Sequence, residues 1–371
     1  MKKLQTRLFI SLILSLSFIL QGCGKKEVED LAITTAIGLD VSEEDNLLLS
    51  AQMLNASVMS THPRDISSVS YVEAEGRTIQ ECLRKLSKFI SGKIFFSHFN
   101  IMIFGEELAK KGIEPYLSFF AINQDALHRY NIIVAKGCKA KDLLHITTTE
   151  NMPSISMENK LKTAHEFYGL AKVTHTDEVM DDLRSEGFAL TLSSLQIDGV
   201  LEEGNNIDNS KNIEPKASFS VSTIAVFKND CLVGYLSESA SIGLTFMVNK
   251  IKTTVIVVTK ADGILASLEI IKASTKYKYD IKGDIPKVKI TIDFEASITE
   301  DLSGKTSREL EYVDDITKRA AYEIKKLCEE ALAAAKEMKL DIFGFGQDIY
   351  RKYYRYWQTI KDHYQEDVFP F

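Results

Sequence analysis

Seven histidines, five cysteines and several paired carboxylates are the groups that could do chemistry in this 371-residue chain, and their spacing limits what they can do. His165-Glu166 begins a zinc-protease pattern, but H-E-x-x-H needs a second His where Gly169 stands. Ser97 and His98 are adjacent, so on a strand they point to opposite faces and do not form a nucleophile–base pair. Glu106 and Glu107 diverge by about 100° on a helix, and carboxylates in a first helical turn are ordinary dipole complementation. Phe343-Gly344-Phe345-Gly346 supplies glycines but no lysine and follows a helical stretch, so it reads as a helix–helix corner rather than a phosphate loop. No Walker loop, G-x-S-x-G or strand-borne G-x-G-x-x-G is present. Cys82, Cys138, Cys231 and Cys328 are scattered, without C-x-x-C or a histidine at ligand spacing, and are expected to be buried thiols rather than a disulfide framework. The residues therefore predict no catalytic, cofactor or metal site and a protein that is not an enzyme.

The fifth cysteine is different. Cys23 stands where the uncharged run Leu8 to Leu20 stops and the charged stretch Gly24 to Asp30 begins. With Lys2, Lys3 and Arg7 ahead of it, that run has the length of a secretory-signal core, about 7–15 residues, and falls short of the ~20 that span a bilayer. Leu20-Gln21-Gly22-Cys23 resembles the lipobox of bacterial lipoproteins. The resemblance implies cleavage after Gly22 and a diacylglyceryl thioether on Cys23, which becomes the tether. Charge agrees with a covalent anchor. The chain carries 45 basic and 52 acidic residues, a formal −7; loss of the leader's three basic residues leaves 42 against 52, or −10. Such a domain gains nothing from an anionic leaflet and has no basic stripe for nucleic acid. Two acyl chains supply the paired signals that stable anchoring takes.

Residues 31–40 and 47–55 read as strands joined by a polar turn, 70–74 as a weaker strand and 78–91 as an amphipathic helix. Strand material at 94–99 and 101–104, a short helix from 106, an apolar helix over 116–123, a strand at 129–135 and helices over 141–146, 157–172 and 177–185 follow, before a strand at 188–197. The Asn- and Asp-rich 202–215 reads as a linker. Beyond it, Asn229-Asp230 and Ala261-Asp262-Gly263 fit hairpin turns, and 287–299 alternates apolar with polar, the mark of an antiparallel sheet wet on one face. Leu310, Val313, Ile316, Ala320, Ile324, Leu327, Ala331 and Ala335 then keep helical period behind a Thr306–Glu309 capping box. A last helix is expected over 347–365, with Tyr350, Tyr353, Trp357, Ile360 and Tyr364 as a core stripe. The expected fold class is α+β (mixed α/β), multi-domain: leader 1–22, a mixed region 23–201, linker 202–215, and a C-terminal domain 216–371 whose antiparallel sheet is covered by long helices.

Several stretches in order resemble the C-subunit lipoproteins of spore germination receptors, the Ger(x)C family. Besides Cys23 they are Glu29 to Ile33 running into Gly38-Leu39-Asp40, Phe96-Ser97-His98 with Ile103 to Ala109, Val134-Ala135-Lys136-Gly137, Ile224 to Lys228 with Leu232-Val233-Gly234, and Asp341 to Gly346. The resemblance implies a non-enzymatic subunit tethered at the outer face of the cell membrane (the inner membrane of the spore). It also implies two integral membrane partners, a large A subunit and a transporter-like B subunit, that detect nutrients with it. It carries over one site residue, Cys23. Family members usually continue past the last helix into a further strand, whereas this sequence stops at Phe371; if the C-terminal sheet normally takes that strand, an edge is expected to be left unpaired. The competing expectations are a solute-binding lipoprotein of an ABC importer, whose two lobes would be parallel βαβ units, and an envelope hydrolase, which would need clustered, pKa-shifted groups in a cleft.

Overall fold

The computed structural model describes residues 31–55, 67–96, 99–122, 129–150, 152–260, 262–283, 285–303 and 310–371. The leader with Cys23, Ser97-His98 and the 306–309 capping box lie outside the described residues.

Long apolar runs become the middle of a nine-stranded mixed sheet. Its order is β3 (Val69–Gly76), β2 (Leu47–Leu54), β1 (Leu31–Val41), β5 (Ile101–Gly105), β6 (Asn131–Ala135), β7 (Thr191–Gly199), β8 (Ala217–Lys228) and β9 (Cys231–Tyr235), with β4 (Lys93–Phe95) beside the start of β1. β1, β5, β6 and β7 run parallel, and antiparallel strands flank them on both sides. Every residue of β5 and β6 is buried. Strands covered on both faces have no use for alternation, which is why these segments read as unbroken apolar runs.

Helices cover both faces. On one lie α1 (Ile79–Leu86), α2 (Glu106–Lys111) and α3 (Glu114–Ile122), whose Ile79, Cys82, Leu108, Leu117 and Phe120 pack with Leu39, Leu49 and Phe104. On the other lie α4 (Ala140–His145) and α5 (Pro153–Thr163), whose Leu143, Leu144, Met157 and Leu161 pack with Ile101, Ile103, Ile133 and Phe219. Next comes α6 (Thr176–Arg184), which adds Val179 and Met180 to the first core.

The segment expected as a linker does not separate two sheets. It forms two short helices, α7 (Leu201–Gly204) and α8 (Ile207–Lys211), and β7 pairs antiparallel with β8 across it. Its polar residues work locally. Asn206 caps α8, and buried Asn209 donates to the Thr147 and Ala217 carbonyls while accepting from the Lys216 and Ala217 amides. Asn209 serves backbone groups that the tight crossover leaves unpaired.

After β9, α9 (Glu238–Met247) leads into a separate antiparallel sheet of β10 (Thr254–Thr259), β11 (Leu265–Asp280) and β12 (Lys287–Asp301). α10 (Leu310–Met338) covers it, followed by α11 (Phe345–Lys352) and α12 (Tyr354–Ile360). The expected hairpins form, with Asn229 at φ 56° and Gly263 at φ 80°. The α10 stripe differs in detail: Leu310 and Val313 are exposed, and Cys328 rather than Leu327 enters the core. The expected last helix is broken at Tyr353, whose φ/ψ of −135°/50° is not helical, and it ends in a π-turn over Tyr364–Val368. Helix α1 is likewise shorter than expected, and Phe89 beyond it is exposed.

Helices α9 and α10 approach closely at Gly243 of α9, where an added Cβ would sit 2.0 Å from the Leu327 carbonyl oxygen. Backbone cannot yield there, so Gly243→Ala is expected to destabilise by ~1–3 kcal/mol in urea unfolding, the usual cost of overpacking. Gly234→Ala is the control: its Cβ would meet only the Met338 methyl, at 3.9 Å, and little change is expected.

Candidate functional site

Two buried carboxylates organise the polar interior, and each lies in one of the short stretches quoted above. The first is Asp40, at the end of β1. Its Oδ1 accepts from the Ala140 amide at 2.7 Å and its Oδ2 from the Lys141 amide at 2.9 Å, so it caps α4 from a hundred residues away. Gly105 makes room for it, since a Cβ there would sit 1.9 Å from Asp40 Oδ1. Burial, which disfavours the charged form, pushes the Asp40 carboxyl up to about 6 against the two amides that favour ionisation. Glu106, one residue on, accepts from the Gly137 amide at 2.7 Å and the Tyr235 hydroxyl at 3.0 Å and pairs with Lys110 at 3.0 Å. Burial raises its carboxyl, but these partners outweigh burial and leave it below the ordinary glutamate value. Lys136 donates to Thr223 at 3.0 Å and lies over the Tyr235 ring at 4.8 Å. Open α/β sheets commonly bind ligands beyond the carboxyl ends of parallel strands. In this protein Asp40, Glu106 and Lys136 occupy those ends and bond to the protein itself.

The second carboxylate is Asp341, fully buried between α10 and α11. Its Oδ1 accepts from the Phe343 and Gly344 amides, both at 2.9 Å, and its Oδ2 from the Gly346 amide at 2.7 Å and the Tyr364 hydroxyl at 2.8 Å. Its backbone is equally committed: the Ala189 amide donates to the Asp341 carbonyl at 2.7 Å, and the Asp341 amide donates to Gln365 at 2.8 Å. Burial raises this carboxyl to about 6 despite the four donors, and burial also lifts the Tyr364 hydroxyl well above its ordinary value. Gly344 takes the left-handed conformation that the corner needs, with φ 82°. Gly346 lies against Gly187, where a Cβ on either would collide with the other's backbone. Trp357 Nε1 donates to Glu186 at 3.0 Å and Gln347 to Ser185 at 2.7 Å. The corner therefore joins the large sheet's 185–189 segment to the C-terminal helices.

Beside this seam lies a cavity of about 770 Å³. Its wall alternates sign: Lys172 pairs with Asp182, and Lys250 with Glu178, each at 3.4 Å. The other candidates from sequence fall apart in space. His165 contacts the Ala171 carbonyl, and Glu166 contributes its backbone oxygen to Thr253. Among the described residues, no group of three or more His, Cys, Asp or Glu side chains could hold a metal, and no helix is long and apolar enough to cross a membrane. Cys82 and Cys328 are buried thiols that burial pushes up to about 11 and about 12, far from nucleophilic character. Sequence reasoning assigned no role to Asp40 or Asp341. The available signal was an Asp within two or three residues of a glycine, in Gly38-Leu39-Asp40 and Asp341-Ile342-Phe343-Gly344.

Two family models match in chain order: "Spore germination protein N-terminal domain" over residues 24–197 and "Spore germination B3/ GerAC like, C-terminal" over residues 222–370. Spore germination protein KC of Bacillus subtilis (strain 168) is 28% identical over 368 residues, covering 95% of this chain and 89% of the relative. Spore germination protein YndF of the same organism is 19% identical over 375 residues, covering 93% and 88%. The crystal structure of the GerBC protein superposes with a TM-score of 0.54 at 16% identity, covering 90% of this chain and 92% of that one. That likeness gives the same fold.

Asp341→Ala would strand three amides and a hydroxyl, each unsatisfied buried group costing ~1–3 kcal/mol. A loss of at least ~3 kcal/mol in urea unfolding is expected at neutral pH. A carboxyl raised on folding contributes stability that is complete below its ordinary value of 3.8 and is lost as pH rises through about 6. The gap between wild type and Asp341→Ala should therefore be wider at about pH 4 than at about pH 7. An equal or reversed gap would contradict this assignment.

Proposed function

The chain belongs to the Ger(x)C family of spore germination proteins, and from that premise we propose that it is the lipid-anchored subunit of a nutrient germinant receptor, acting with two integral membrane subunits to trigger germination. One observation carries the reading. The two family models follow one another over 24–197 and 222–370 and meet at the crossover between β7 and β8. The subunit contributes binding surfaces rather than chemistry. Its buried carboxylates, Asp40 and Asp341, are spent on backbone amides and a tyrosine hydroxyl.

The anchor belongs at Cys23, freed by cleavage after Gly22 and carrying a diacylglyceryl thioether. Seven residues separate Cys23 from Leu31, where β1 begins, a reach of at most ~30 Å for an extended chain. The sheet is thus held near the outer face of the membrane, within range of integral partners. Acidity at neutral pH leaves the acyl chains as the main membrane contact, because no polybasic segment adds to them.

Cys23→Ala tests the anchor in spores. The variant is expected to leave the membrane fraction and to weaken the response to nutrient germinants, with the folded domain intact by circular dichroism. Normal germination with a protein recovered wholly in the soluble fraction would overturn the anchoring role.

A further inference from the structure

The C-terminal sheet ends on β12, a fifteen-residue strand whose outer edge has no strand partner among the described residues. From Lys287 to Glu295 its register with β11 is unbroken, and a regular open edge of that kind recruits another strand. Its inner face is also incompletely covered. Val288, Ile290, Ile292 and Phe294 are only half-buried, and with Ile324 and Leu332 of α10 they line a groove of about 420 Å³.

The outer face carries a charge order that chooses an occupant. Along it stand Lys287, Lys289, Thr291, Asp293 and Glu295, all exposed: two cations, a neutral centre, two anions. Such a strand is complementary to itself run backwards. We propose that β12 pairs antiparallel with β12 of a second copy, about a two-fold axis through Thr291, joining two three-stranded sheets into one of six. In that register Lys287 faces the second copy's Glu295, Lys289 faces its Asp293, and Thr291 faces itself. The axis doubles this to four opposite-charge pairs with no like-charge pair. Sliding the register by two residues either way leaves one kind of opposite-charge pairing in place of two, Lys287 with Asp293 or Lys289 with Glu295, and a slide of four brings Lys289 or Asp293 against its own image. On the other face Val288 meets Phe294 and Ile290 meets Ile292, so the apolar wall of each groove continues into its neighbour.

Across the β11–β12 ladder Lys287 already faces Asp280 and Glu295 already faces Lys272, so Lys289 is the position left unbalanced. Within one copy Lys289 lies directly opposite Lys278 of β11, and like charges so placed repel. The second copy's Asp293 would stand on the open side of Lys289 and offset that repulsion. Asp293 already reaches Lys276 at 3.3 Å, but both side chains are largely exposed, so this pair is weak and leaves Asp293 available. The interface is isologous, each patch meeting its own image, which closes at two copies.

The test uses the full chain in detergent micelles, followed by sedimentation. Wild type should dimerise reversibly. Lys289→Asp and Asp293→Lys each turn two attractive pairs into repulsive ones and should each raise the dimer dissociation constant about tenfold or more. The double variant K289D/D293K should restore wild-type dimerisation, which no general loss of folding could do. Register is read by cysteine oxidation. Thr291→Cys places two thiols at a directly opposed position, ~4.5–5.5 Å between Cβ atoms, and should link copies rapidly above the wild-type background. Lys289→Cys leaves its two thiols ~13 Å apart and should not. A wild type that stays monomeric, single variants that dimerise as well as wild type, no rescue by the double variant, or equal linking at 289 and 291 would each overturn the proposal.

Discussion

The buried carboxylate of Asp341 is the constraint on which the joining of the two sheets depends. An isolated charge away from water is prohibitively costly, and this one is tolerated because three amides and the Tyr364 hydroxyl converge on it. Charge-assisted bonds of this kind are the stronger ones, so the demand runs in both directions: the carboxylate needs the corner, and the corner needs the carboxylate. Gly344 must then adopt a positive φ, Gly346 must lie bare against Gly187, and Ala189 must donate to the Asp341 carbonyl. Residues 185–189, which lead from α6 into β7, thereby become inseparable from the C-terminal helices. Asp40 repeats the device inside the large sheet, where it holds α4 over the ends of β1 and β5.

Much of this architecture was legible in the chain. Alternation over 287–299, continuous apolar runs at 101–104 and 129–135, and the Asn229-Asp230 turn each reported a local geometry that the fold retains. What escaped reading depends on partners far away in sequence. Asp40 bonds to amides a hundred positions on, and nothing near it announces them. The α10 stripe shifts from Leu327 to Cys328 because Gly243 brings another helix's backbone against Leu327. The tail helix breaks at Tyr353 so that Trp357 can reach Glu186 and Tyr364 can reach Asp341, a tertiary demand that overrides helical periodicity. Segment 202–215 looked like a linker because Asn206 and Asn209 are polar, yet their polarity serves backbone groups inside the sheet's own crossover.

The stretches that resemble the family coincide with this polar framework rather than with an exposed cleft. Gly38-Leu39-Asp40, Gly105-Glu106, Lys136-Gly137 and Asp341 to Gly346 all take part in it. What makes the chain recognisable is therefore what keeps its scaffold in one shape. Such a division suits the proposed role, that of a subunit presenting fixed surfaces to its partners. The edge of β12, with its ordered charges, is one such surface.

Native-state hydrogen exchange measures the hub directly. If Asp341 holds the corner as described, the amides of Phe343, Gly344 and Gly346 should exchange only through global unfolding, with protection equal to that of central β5 and β6 amides. Exchange at those three amides through a low-energy local opening, while β5 and β6 stay protected, would contradict it.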